Sequence, residues 1–328
     1  MTRSLEIIEN ALIAIRKGKP VILIDDETKD QAGHFIFAAE KTMPESLNMI
    51  TTYGRGFIYL AMEPKRIEAL GLTMMTSIDA KEGIRSGSSV QDRVKTIQTA
   101  IDPTKTRQDL RSPGHIFPLK AELGGVLKKP SYVEASVDLA RLSGLNPSAI
   151  LSEILNEDGS MAKREDLEKL RTKLAIPIVS IKDLIHYRLY YEKTVHTLSK
   201  EPFISQLGSF DMHTFENAIT KKRQTALVKG KPKNECLVRI HAGCQASESF
   251  AFMGCDCTSK LAFSLSTIEE SENGMLLYFK DEKLDMRHCA EHTQDVRKKR
   301  SFYIADAAQI LKALDIVAIR LMTNDLNK

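Results

Sequence analysis

Five cysteines, Cys236, Cys244, Cys255, Cys257 and Cys289, all fall in the final third of the chain. An odd, one-sided set behind a start that lacks a secretion signal argues against a disulfide framework and leaves metal binding or inert packing. Asp25-Asp26-Glu27 emerges from a short apolar run, Pro20-Val-Ile-Leu-Ile24, where acids either end a strand in a turn or line a site. Glu153 interrupts Ile150-Leu-Ser-Glu-Ile-Leu155, and a carboxylate in a segment that otherwise wants burial is costly, which favours a site role. His115 stands between Gly114 and an apolar run, either as a packed imidazole or as an acid–base group.

The elements that must position these groups follow from periodicity. Leu5, Ile8, Leu12 and Ile15 recur at helical spacing until Gly18 and Pro20 stop them, and the unbroken apolar run that follows reads as a buried strand. Further strands are expected at 35–39, 56–62 and 149–154, and helices at 44–53, 89–101, 132–142 and 164–174. Ser89-Val-Gln-Asp92 opens its helix as a capping box does, and Gly144 closes another. Beyond a break at 200–209, which contains Pro202 and Gly208, strands are expected at 235–241, 275–279 and 316–322 around helices at 260–269 and 305–313. The fold class is mixed α/β, and the boundary is placed near 200.

Composition bounds the rest. The chain has 328 residues, enough for two domains, with 42% hydrophobic and 27% charged residues, which excludes collagen-like and wholly disordered classes. Its 47 basic against 43 acidic side chains leave a net charge of +4, too mild to announce a nucleic-acid partner. Basic clusters at 221–223, at Lys229, Lys231 and Lys233, and at 297–300 read either as phosphate or RNA sites or as solvated faces, and no RNA-binding motif accompanies them. Glu6 and Glu9 break the N-terminal apolar residues, and no run approaches the about 18 apolar residues of a membrane helix, so a cytoplasmic protein without a membrane partner is expected.

Several segments of the first half resemble 3,4-dihydroxy-2-butanone 4-phosphate synthases in type and order: Asp25-Asp26-Glu27, Gly54-Arg-Gly56, Asp92-Arg93, Pro113-Gly-His-Ile-Phe-Pro-Leu119, Gly124-Gly-Val-Leu127, Glu134-Ala135 and Asn156-Glu-Asp-Gly-Ser-Met-Ala162. The second half resembles GTP cyclohydrolase II through Val238-Arg-Ile-His241, Cys244, Cys255-Asp-Cys257, Leu276-Leu-Tyr278 and Arg320-Leu-Met-Thr-Asn324. Together they resemble the bifunctional riboflavin-biosynthesis family. The resemblance implies a synthase-like α/β domain at 1–200 and a shortened cyclohydrolase-like zinc domain at 209–328. It also implies a homodimer and a small phosphorylated metabolite as ligand.

The synthase family cleaves formate from a pentulose phosphate with a divalent magnesium ion. Its Arg-Glu-Asn-Glu-Gly-Asp stretch is here Lys29-Asp30-Gln31-Ala32-Gly33-His34, and its metal-binding histidine is Tyr132. The resemblance implies Asp30, His115 and Glu153 as catalytic residues, with Lys29, His34 and Lys129 for substrate; lysine holds a phosphate as a point charge but cannot fork onto it. Magnesium or manganese remains an expectation with one carboxylate, Asp30, in the old loop, and His34 with Asp30 suggests an alternative site for a softer metal.

Cys244, Cys255 and Cys257 match the cyclohydrolase family's zinc ligands. The acid that precedes the first ligand in that family is Gly243 here, an arginine of the GTP-binding triplet is absent after Glu282, and the acid–base pair near the last helix has no counterpart. His288 or Cys289 is a candidate to close the zinc tetrahedron. The leading expectation is a homologue repurposed to altered lyase or acid–base chemistry on a sugar phosphate, with a non-hydrolytic second half. The alternatives are a non-catalytic metabolite-binding or partner-regulating protein and an ordinary dihydroxybutanone phosphate synthase.

Overall fold

The computed structural model describes residues 3–25, 32–73, 76–231, 235–280 and 296–323, with side chains placed for all of these except Arg3 and 296–302. The chain divides into two compact units, Met1–Tyr190 and Tyr191–Lys328.

The first unit runs α1 (Arg3–Arg16), β1 (Val21–Ile24), β2 (Gly33–Ala38), α2 (Pro44–Gly54), β3 (Tyr59–Met62), α3 (Pro64–Ala69), β4 (Ile78–Ala80), α4 (Val90–Ile101), β5 (Leu110–Lys120), α5 (Tyr132–Leu142), β6 (Ser148–Glu153), α6 (Arg164–Leu174), β7 (Ile178–Ser180) and α7 (Ile181–Tyr191). Among the described residues its strands form one sheet in the order β4-β5-β3-β6-β2-β1-β7. Alternation along each strand sends residues to opposite faces. Ile22, Ile24, Phe35, Phe37 and Leu60 pack with α2, α4 and α6, while Val21, Leu23, Ile36, Ala61 and Leu151 pack with α1, α5 and α7. Burial on both faces is why β1 has no polar alternation in sequence.

The second unit runs β8 (Val195–Ser205), β9 (Gly208–Asn217), β10 (Arg223–Lys229), β11 (Cys236–Ala242), α8 (Gln245–Phe250), α9 (Cys257–Glu269), β12 (Gly274–Phe279), α10 (Val296–Ala313) and β13 (Ile319–Met322). Its sheet order is β13-β11-β12-β10-β9-β8, with β8, β9 and β10 an antiparallel meander and β11, β12 and β13 parallel. Leu265 and Ile268 of α9 cover one face, and Ala307 and Ile310 of α10 the other.

Two expectations need correction. The break placed at 200–209 is a hairpin: Pro202 pairs with Asp211 and Ser205 with Gly208, so the units part near 190 instead. β8 lies at the sheet edge, where a proline costs no ladder bond on its open side and half the strand is solvated, which erases the apolar alternation. The second correction is β5, an unanticipated strand because Pro113, Gly114 and Pro118 punctuate it. The structure absorbs the first two in a register shift, in which Ile78 pairs with Ile116 but Asp79 with Arg111.

Candidate functional site

That register shift builds the first site. β5 bulges between Arg111 and Ile116, which turns His115 back onto β4. Its backbone N–H donates to Asp79 Oδ1 at 3.0 Å, and its ring Nδ1 lies 3.0 Å from Asp79 Oδ2. The Asp79 side chain is 2% exposed and that of His115 38%, so a buried carboxylate holds an imidazole that faces outward. An Nδ1–H donating to this carboxylate leaves Nε2 as the acceptor, the tautomer a proton-transferring histidine needs. Arg111 Nη2 approaches the same carboxylate at 3.4 Å.

The loop before α4 lies against this dyad. Asp92 accepts N–H bonds from Arg85, Ser86 and Gly87 at 3.2, 3.1 and 2.9 Å. These bonds, Gly87's foremost, hold its carboxyl below the usual carboxylate range. Gly87 has φ +90°, and a Cβ there would stand 2.2 Å from Asp79 Oδ2 and 2.7 Å from His115 Nδ1, so only glycine lets the loop approach. Asp79 escaped sequence reading because it lies in a three-residue strand between Ile78 and Ala80, where it looks like a turn acid.

Glu153 ends β6 directly beside His34 of β2. Tyr59 of β3 pairs with Phe117 of β5 on one side and Leu151 of β6 on the other, so His115, Glu153 and His34 share one end of the sheet. Two strand spacings, about 10 Å, separate the backbones of β5 and β6. Burial, and then the charge of Glu153, pushes the Tyr59 phenol up.

The His34 and Tyr132 rings lie against one another, tilted by 33° with centroids 3.9 Å apart, and the Tyr132 hydroxyl donates to the Ala32 carbonyl at 2.8 Å. Among the described residues the buried His34 Nδ1 has no hydrogen-bond partner. Burial pushes the imidazole down to about 4, so it is neutral near pH 7. A magnesium ion wants several oxygen ligands. Of His34, Tyr132 and Glu153 only the last offers a carboxylate, and the Tyr132 proton is committed to a backbone carbonyl. Tyr132 thus does not fit as a magnesium ligand, and the half-buried His34 ring lies against it, tilted by 33°. Lys29 and Asp30, with Asp26 and Glu27, lie outside the described residues.

The His34 shift has a consequence for stability. An unfolded imidazole takes up its proton near 6.5, this one near 4, so between those values the unfolded chain binds more protons. Stability is therefore whole above pH 6.5 and falls as the pH drops towards 4, by on the order of 3 kcal/mol. Denaturant midpoints at pH 7.5 and 4.5 should differ less for His34→Phe than for the wild type, and equal acid losses in both would remove His34 as the cause.

Lys129 is exposed, with Nζ 3.8 Å from the buried Glu134 carboxylate. Glu134 also accepts from the Glu122 N–H and the Ser131 hydroxyl. The neighbouring Gly124-Gly125 turn is fixed by Asp138, which accepts from Val126 N–H at 2.9 Å and from Arg188 at 2.7 Å. This end of α5 thus holds Lys129 on a rigid turn, though no contact ties it to His115.

The second unit brings Cys244, Cys255 and Cys257 together, their sulfurs all within 4.8 Å of one another and those of Cys244 and Cys255 3.8 Å apart. Zinc–sulfur bonds of about 2.3 Å at a tetrahedral angle place sulfurs about 3.8 Å apart, so the donor set fits zinc in both geometry and softness. Bound there, the ion would cross-link α8 to α9. Cys236 is buried in the β11 core, away from this set, and His288 and Cys289 lie outside the described residues. Glu248, which sequence reading missed in a plain Ser-Glu-Ser stretch, accepts from His241 Nε2, the Cys244 N–H and the Tyr278 hydroxyl at 2.9, 2.8 and 2.6 Å.

Each of the two units matches a known protein family. The model of 3,4-dihydroxy-2-butanone 4-phosphate synthase matches residues 9–187 and that of GTP cyclohydrolase II residues 196–328. The chain belongs to the 3,4-dihydroxy-2-butanone 4-phosphate synthase family, in the branch that carries a GTP cyclohydrolase II domain. It is 36% identical to the riboflavin biosynthesis protein RibBA of Aquifex aeolicus (strain VF5) over 98% of this chain and 87% of that protein. The crystal structure of RibBX, a two-domain 3,4-dihydroxy-2-butanone 4-phosphate synthase from A. baumannii, is similar at 32% identity and a TM-score of 0.81, covering 98% of this chain and 94% of that one. A 3,4-dihydroxy-2-butanone 4-phosphate synthase in complex with two magnesium ions is similar at 26% identity and a TM-score of 0.53, covering 56% of this chain and 97% of that one. No helix among the described residues is long and apolar enough to cross a membrane.

Proposed function

We propose that the first unit receives a pentulose phosphate or a related sugar phosphate and performs lyase or acid–base chemistry on it, while the second holds zinc without hydrolysing GTP. The observation that carries this reading is the Asp79–His115 dyad. A carboxylate 2% exposed orients an imidazole 38% exposed, so Asp79 fixes the tautomer and His115 Nε2 takes or returns a proton on a carbon or hydroxyl of the sugar. Glu153 supplies a second carboxylate at the same end of the sheet, and Lys129 a cation for the phosphate. In this reading the protein acts as a homodimer, as its resemblance to the synthases implies.

The family names point to the sugar phosphate, and Tyr132 in place of the family's metal-binding histidine, with His34 beside it in place of a carboxylate, favours altered chemistry. The name of the two-domain synthase from A. baumannii, matched over nearly the whole chain, favours the unaltered synthase reaction as a second reading. The test is to incubate the whole protein with carbon-13-labelled ribulose 5-phosphate and related pentulose and tetrulose phosphates, and to follow substrate loss and new phosphorylated products by NMR. Turnover is expected with at least one of them, abolished by His115→Ala while calorimetric binding of the sugar phosphate persists. Binding with no turnover of any would make the protein a non-catalytic metabolite binder, and turnover indifferent to His115→Ala would remove the dyad from the reaction.

A further inference from the structure

We infer that Glu248 is the positioning residue of the thiol centre, and that the Tyr278 hydroxyl it holds fills the space an acidic side chain at position 243 would need. The inference rests on reading the three thiols as zinc ligands, and it says how the protein holds them and why the centre is closed to hydrolysis.

Glu248 ties together three elements. Its Oε1 accepts from His241 Nε2 on β11 and from the Cys244 N–H at the start of α8, and its Oε2 accepts from the Tyr278 hydroxyl on β12. A carboxylate 12% exposed would be costly without partners, and here each oxygen has one or two. Cys244, the first ligand, is clasped from both ends: its N–H donates to the Glu248 side chain at 2.8 Å, and its carbonyl accepts from the Glu248 N–H at 2.8 Å. The opposite side of α8 has its own clamp. There the Ser247 and Thr258 hydroxyls meet at 2.7 Å, beside Cys257 at the start of α9. α8 has six residues, too few to fix a ligand by helix formation alone, so these side chains set the sulfur positions before any metal arrives.

The Tyr278 hydroxyl reaches Glu248 by passing over Gly243. A Cβ on Gly243 would stand 2.3 Å from that hydroxyl oxygen and 2.6 Å from the ring carbon bearing it. Any side chain at 243 therefore forces the Tyr278 hydroxyl to shift from its place on Glu248. The position at which the cyclohydrolases carry an acid is occupied here by the phenol of a stabilising network, and the His241 ring stacks on the same tyrosine at 5.8 Å. Restoring the acid therefore costs Glu248 the hydroxyl that holds its Oε2 while Oε1 holds the Cys244 N–H.

The experiment uses the full chain. Zinc stoichiometry of the wild type comes first, and one tightly held ion per chain is expected; a wild type holding none would overturn both the ligand reading and this inference. Zinc release to a chromogenic chelator is then timed for Glu248→Ala, Glu248→Gln, Tyr278→Phe and Gly243→Ala, alongside the thiolate-to-cobalt absorption of the cobalt-substituted proteins. Glu248→Ala should release zinc about 10–100-fold faster, with an altered cobalt spectrum. Glu248→Gln should recover part of the loss, because an amide oxygen still accepts from the Cys244 N–H. Tyr278→Phe and Gly243→Ala should resemble one another, each faster than the wild type. If Glu248→Ala is folded and releases zinc at the wild-type rate the inference fails; should that variant not fold, wild-type rates in both Tyr278→Phe and Gly243→Ala overturn it equally.

Discussion

Replacing Cys255 with serine is expected to empty the second unit of zinc and to cost it several kcal/mol of stability. A serine hydroxyl stays protonated near pH 7 and is a hard, weak donor, so the substitution leaves two thiols where a tetrahedral ion needs three or four good ligands. Apart from the Glu248 and Ser247–Thr258 hydrogen bonds, little apolar packing holds this corner. The apolar cluster around the centre consists of Cys244, Ala246 and Cys257 with Cys255 against it, so the ligands are themselves the local core. Structural zinc sites contribute about 10–16 kcal/mol of apparent binding free energy, of which a partly prefolded unit loses only a share. A fall of several kcal/mol lowers the thermal midpoint by on the order of 10 °C in a unit of this size. Zinc content and calorimetry of wild type and Cys255→Ser should show one ion falling to none and an early transition for the second unit alone. Neither protein should turn over GTP, because Gly243 lacks the acid and its place is taken by Tyr278. GTP turnover in the wild type, abolished by Cys255→Ser, would show the centre to be catalytic.

Much of the frame was legible because its signals are local. Helices α1, α2, α5 and α6 follow their apolar periodicity to within a few residues, and β1 and β6 follow from short apolar runs. The three thiols were legible as well, since a spacing that matches a metal family needs no knowledge of the fold. What escaped are contacts made by register. Asp79 meets His115 only because β5 slips against β4, and nothing in a sequence announces that a proline and a glycine will be swallowed by a bulge. Glu248 meets Tyr278 across thirty positions of chain. Both missed acids are short-range neutral in sequence and become informative only when three strands or helices converge on them. The hairpin of β8 and β9 was hidden for a different reason: an edge strand half open to water carries no alternation, and Pro202 there mimics a linker.

Supplied with ribulose 5-phosphate and magnesium, the protein is expected to release formate about a thousandfold more slowly than an ordinary synthase. The synthases, by resemblance, hold magnesium on a carboxylate and an imidazole, and polarising the sugar carbonyl there is worth several kcal/mol of transition-state stabilisation, or about a thousandfold in rate. By the same resemblance this chain carries Asp30, one methylene shorter, at the first of these positions and at the second the phenol of Tyr132, whose hydroxyl donates to the Ala32 carbonyl at 2.8 Å. A phenol tied to a backbone carbonyl is a poor magnesium ligand, so adding more magnesium should not recover the rate. Nor should Tyr132→His by itself, since it cuts the bond to Ala32 while leaving His34 in place of a carboxylate; Tyr132→His combined with His34→Asp is the variant in which formate release should rise towards the ordinary rate. The Asp79–His115 pair is untouched by these changes, because it lies on β4 and β5, away from His34 on β2. Exchange of the sugar's carbon-bound proton with deuterated water should therefore outpace formate release in the wild type and vanish in His115→Ala. Formate released by the wild type at the rate of an ordinary synthase would overturn the altered reading and make the unaltered riboflavin reaction the function of the first unit.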